Sequence, residues 1–153
     1  MKRKKIRISS VLSAAYWRQS LMTTETLRAV VDCLIPPDDF PGGYDAGVCD
    51  YIERIFQTDL AAQSEFFLAG IDGIEAEALE RFNEPFANLT PDQQSSTLAA
   101  LESGDVKTSW PISPSRFFEM LVNTTAEGYY SDPQQGGNRG GRSWAMTGFD
   151  EPS

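Results

Sequence analysis

Two places where a hydroxyl residue is followed directly by proline constrain this chain more than any other feature: Thr90 and Pro91 in "LTPDQQ", and Ser113 and Pro114 in "SPSRFF". A hydroxyl at the N-cap accepts a bond from a backbone N–H two or three residues on. Proline suits the first helical position, because the N–H it lacks would have no partner there. Gln93, three residues after Thr90, completes a capping box. Each pair therefore starts a helix. The first is expected to run to about Glu102 and to stop at Ser103 and Gly104. The second is expected to turn Phe117, Phe118, Leu121, Thr125 and Tyr129 toward a core.

The same periodicity predicts three earlier helices. From Thr23 to Ile35, the residues Leu27, Val30, Val31 and Leu34 share a face, with Thr23 or Thr24 as the cap and Pro36 and Pro37 as the stop. "PPDDFPGGYDAG" follows, a connector too punctuated to be a floppy linker and expected to fix the angle between two helices. From Asp45 to Thr58, Val48, Tyr51, Ile52, Ile55 and Phe56 form a second stripe. Asp59 is expected to cap a third helix, with Phe67, Ile71, Ile74, Ala78 and Phe82 facing inward as far as Arg81 to Asn83. Gly70 and Gly73 inside it each cost about 1 kcal/mol relative to alanine, so they signal close approach of another element or a local break. No pair of strands and no internal repeat is evident. The expected fold is all-α: about five helices in a small irregular bundle forming one domain over residues 23–153. A basic arm, residues 1–22, precedes it, and its last part is a long Gly-rich tail with aromatics, residues 131–153.

Composition narrows the chemistry. The net charge is −9, but five of the 13 basic residues are Lys2, Arg3, Lys4, Lys5 and Arg7. From Ile8 onward eight basic residues face 22 acidic ones, a net of −14, which repels phosphate backbones and opposes nucleic-acid binding. Histidine is absent, so Ser–His–Asp, Cys–His and His-ligated metal or haem sites have no ligand or base in this chain. Cys33 and Cys49 are the two cysteines. Two buried thiols, a bridge between them and a bond to a partner are each compatible with their spacing. The arm "MKRKKIR" resembles the start of an export signal. The following "ISSVLSAAYWRQSLM" is broken by polar residues and has no clean apolar run, which favours a solvated tail and a cytoplasmic site, with periplasmic co-export beside a partner as the alternative. No stretch reaches the length of a membrane span, so no direct membrane insertion is expected.

The run "SDPQQGGNRGG" raises three readings. A phosphate cradle needs a glycine loop after a strand and before a helix, where unpaired N–H groups point at the anion. Here the loop follows a helix, and Gly136, Gly137, Gly140 and Gly141 have the wrong spacing. Carboxylate chemistry using Asp132 with Glu127 or Glu119 would need a cleft that separates their pKa values; a solvated acidic face, with a turn at Asp132 and Pro133, is the plainer account. Third, the glycines permit close backbone approach, Asn138 and Arg139 offer donors, and Tyr129, Tyr130, Trp144 and Phe149 offer aromatic surface. That is the composition of an interface, or of a tail folded over its own helices.

These residues also carry a resemblance. "SRFFEMLVNTTAEGYYSDPQQGGNRGGRSWAMTGFDE" resembles the C-terminal signature of the small-subunit (subunit 3) family of gluconate 2-dehydrogenase: a Phe-Phe helix, an aromatic pair, D-P, G-G-N and W-x-x-x-G-F. "LRAVVDCLIPPDDFPGGYDAGVCDYIERI" is similar to that family's first helix, connector and second helix, and "LTPDQQ" to its mid-chain capping box. The likeness spans Leu27 to Phe149. It implies a non-catalytic all-α subunit associated with a large FAD-dependent dehydrogenase of the GMC type acting on sugars or polyols, joined in some complexes by a multihaem cytochrome c subunit. No flavin, metal or catalytic residue is expected in this chain. Tyr129, Tyr130, Asp132, Asn138, Arg139, Trp144 and Phe149 are the expected residues of the partner interface or the tail anchor. The twin-arginine leader and the C-terminal cysteine of some members have no counterpart here. Other classes consistent with the residues are a homo-oligomeric helical protein and an enzyme of unknown reaction.

Overall fold

Fourteen of the buried apolar side chains belong to the stripes with helical spacing, and a computed structural model, which describes residues 21–131, shows how those stretches close on one another. Five α-helices and no strand occur among the described residues: α1 (Leu21–Leu34), α2 (Val48–Ile55), α3 (Ser64–Phe82), α4 (Pro91–Ser103) and α5 (Pro114–Tyr130). Single 3-10 turns at Ala61–Gln63 and Phe86–Asn88 flank α3. The helices α1 and α5 each pack against the other four. None of these helices is long and apolar enough to cross a membrane.

Both proline starts form as their chemistry requires. The Thr90 hydroxyl accepts from Gln93 N–H at 3.2 Å, while Gln93 Oε1 accepts from Thr90 N–H at 3.0 Å. Ser113 accepts from Arg116 N–H at 3.3 Å to begin α5. Gly104 closes α4 with φ of 79°, a conformation that costs glycine little. Elsewhere the ends differ from expectation. Thr23 and Thr24 lie inside α1 instead of starting it. The helix α2 is shorter than Asp45–Thr58, because Gly47 at its start has φ of 87° and tight turns through Gln57, Thr58 and Leu60 end it. Asp59 does not cap α3. The chain makes a 3-10 turn first and enters α3 at Ser64, with Gln63 making no side-chain cap.

The two glycines of α3 mark close approach, and the helix runs through them unbroken. A Cβ at Gly70 would collide with the ring of Phe117, and one at Gly73 with the six-membered ring of Trp110. Phe117 is fully buried there, 5.6 Å from Phe67, which stacks on Phe56 at 4.3 Å between ring centroids. Such offset and tilted pairs add to the burial of the rings themselves. Phe82 and Phe118, expected to face the core, are only half-buried.

Candidate interaction face

Tyr129 and Tyr130 are consecutive on a helix, so they point about 100° apart. Tyr129 faces in, 2% exposed, and its hydroxyl donates to the Pro41 carbonyl at 2.9 Å. Burial raises its pKa, with Tyr130 and Asp38 adding to the effect, so the phenol stays protonated and remains a donor. Tyr130 faces out, 46% exposed, and meets Tyr129 edge to face at 5.1 Å. Of the residues expected to form the interface, these two are brought together; Asp132, Asn138, Arg139, Trp144 and Phe149 lie outside the described residues.

Pro41 sits in the α1–α2 connector, which is clasped to the end of α1. Gly43 N–H bonds to the Ile35 carbonyl at 2.9 Å, Tyr44 N–H to Asp32 Oδ1 at 2.9 Å, and the Arg28 guanidinium lies 4.0 Å over the Tyr44 ring. Gly43 must be glycine, because a Cβ would stand 2.6 Å from the Val31 carbonyl oxygen. The last turn of α5 and the connector thus form one end of the bundle, joined through the Tyr129 hydroxyl.

Beside α5 lies a depression of about 380 Å³, between that helix and the turn leading into α3. Ile55, Leu60, Phe66 and Met120, all half-buried, form its apolar lining. Asp59, Glu119 and Glu127 carry its negative charge and Arg116 its positive one. Glu127 also accepts from the Tyr51 hydroxyl at 3.3 Å, and burial together with that carboxylate raises the Tyr51 pKa.

Other chemistry-bearing groups are closed off. Glu77 is fully buried, and its carboxylate accepts from Lys107 N–H at 2.8 Å, Thr108 N–H at 3.0 Å, the Thr108 hydroxyl at 2.5 Å, the Trp110 indole at 3.3 Å and Arg81 Nε at 2.7 Å. Burial pushes its pKa up, but these donors, Thr108 foremost, outweigh burial and hold it at about 2. With its oxygens so occupied it is a structural tie, not a general acid. Cys33 and Cys49 are free thiols. Burial raises both, Cys49 to about 12 with Asp50 and Asp32 adding, so neither supplies thiolate at neutral pH. No cluster of three or more metal-ligating side chains occurs among the described residues.

Glu77 and the depression were not anticipated from sequence. A signal existed for Glu77: it falls three residues after Ile74 on the inward stripe of α3 and four before Arg81, the spacing of a helical ion pair. Nothing local marks the depression, since its lining comes from three separate segments.

The fold and this face define a small all-α domain in which one side of α5 carries Glu119, Glu127 and Tyr130 to the surface beside a partly apolar depression. The chain matches the family described as Gluconate 2-dehydrogenase subunit 3 over residues 22–151 and belongs to it. No curated protein and no solved structure matches the chain.

Proposed function

We infer that this chain is the non-catalytic small subunit of a flavin-dependent, GMC-type sugar or polyol dehydrogenase, and that it supports the folding, stability or maturation of the large subunit. The match over residues 22–151 carries this reading. The geometry supports it, because the "IPPDDFPGG" connector and the tail that follows Tyr130 both carry the family resemblance, and the Tyr129–Pro41 bond puts their near ends side by side.

On this reading FAD belongs to the large subunit, and a cytochrome c subunit joins in some complexes. The small subunit acts by mass action. A protein that binds only the folded form of its partner stabilises that form by RT ln(1 + [L]/Kd), about 2.7 kcal/mol at a hundredfold excess over Kd. Tyr130, Asn138, Arg139, Trp144 and Phe149 supply the aromatic and Arg anchors that dominate such interfaces.

This reading expects a large GMC-type flavoprotein to be encoded beside this chain, and co-expression with it is the test. A yellow complex should co-purify, while this chain alone stays colourless, and Arg139→Ala with Trp144→Ala should lower the yield of active dehydrogenase. Failure to co-purify, with that yield unchanged in the double variant, would sink the reading.

A further inference from the structure

Arg116, Glu119, Asn123, Glu127 and Tyr130 are spaced three or four residues apart, so they fall on one side of α5. All five are exposed. The first three separate the depression already described from a second of about 350 Å³, where Phe118 and Val122 supply apolar surface and Glu102 a further carboxylate. The outward side of α5 is therefore a ridge between two partly apolar hollows, and it leads to Tyr130, where the chain passes into the tail. Around it stand Asp59, Glu102, Glu119 and Glu127 against Arg116.

We propose that this side of α5 is a docking surface for a segment of the large subunit that carries apolar side chains flanked by Lys or Arg. The proposal rests on the function inferred above. The half-buried floor of Phe66, Met120 and Phe118 takes the apolar groups, and the surplus of carboxylates selects the positive flanks. Charge of this kind steers association, rejects acidic partners and makes affinity depend on salt.

The test uses the full chain and the purified GMC-type flavoprotein that co-purifies with it. Glu119→Lys with Glu127→Lys should weaken binding at least tenfold at low salt and flatten the salt dependence. A control, Glu80→Lys with Glu84→Lys, reverses two exposed carboxylates that line neither hollow and should bind as the parent does. Far-UV circular dichroism and Tm report whether both variants fold. Met120→Ser should weaken binding without changing the salt slope. A complex that forms with unchanged affinity in the first variant overturns the docking surface and leaves the subunit function standing; no complex with the parent chain removes both. Two other occupants are separable by maleimide labelling of Asn123→Cys and by sedimentation. Protection in the free chain that disappears on Lys2→Glu, Lys4→Glu and Lys5→Glu assigns the face to the chain's own arm. A dimer dissolved by Glu119→Lys assigns it to a second copy. Either result overturns the proposal.

Discussion

A carboxylate taken fully out of water is costly unless donors replace its hydration, and at Glu77 two backbone N–H groups, a hydroxyl, an indole and a guanidinium do so. Arg81 extends the tie by donating to the Asp105 carbonyl at 2.7 Å. Glu77 thereby fastens the loop between α4 and α5 to α3. Its folded pKa, about 2, lies below its ordinary 4.5. A depressed carboxylate contributes stability that is fully present above the unfolded value and is lost as pH falls through the folded one. The window here is pH 4.5 down to 2. Glu77→Gln should therefore cost about 3 kcal/mol at neutral pH, with a stability that no longer falls through this group's window; urea unfolding of both proteins at a series of pH values checks this. Thr125 is the opposite case. Its hydroxyl is buried with no hydrogen-bond partner, so Thr125→Val should stabilise by about 1 kcal/mol, read from the shift in denaturation midpoint at constant m.

Among the elements, α3 shows two local rules in competition. Alanine is a better helix former than glycine by about 1 kcal/mol, which alone would make Gly70→Ala and Gly73→Ala stabilising. Crowding at a packed site costs about 1–3 kcal/mol and more where nothing can yield. At Gly70 the obstacle is the fully buried Phe117 ring, so Gly70→Ala should destabilise by at least about 2 kcal/mol. At Gly73 the obstacle is the Trp110 ring, only half-buried but held by its indole bond to Glu77, so Gly73→Ala should also destabilise, by less than Gly70→Ala. Thermal melts of the two variants decide the order. The helix starts at Thr90 and Ser113 were legible because capping is written within four residues. The entry to α3 was not, because Asp59 is a good cap in isolation but the 3-10 turn delays the helix to Ser64.

For the whole molecule, the subunit reading predicts that each protein raises the other's thermal stability on mixing, by an amount that grows with the concentration in excess over Kd. A flavoprotein whose melting, followed by FAD fluorescence, is indifferent to this chain at micromolar excess would contradict it. The donors from Lys107, Thr108 and Trp110 to Glu77 and the rings over Gly70 and Gly73 come from residues 30 to 47 positions away in the chain, and no periodicity or motif encodes such distances. Helix class, the caps at Thr90 and Ser113 and the main apolar stripes followed from sequence alone, because backbone hydrogen bonding and side-chain periodicity act over a few residues. The bond from Tyr129 to Pro41, the sealing of Glu77 and the hollows beside α5 were decided only when the five helices packed together. Burial is a property of neighbours brought together in space, and the same residue types stand equally well on a surface or in a core until those neighbours arrive.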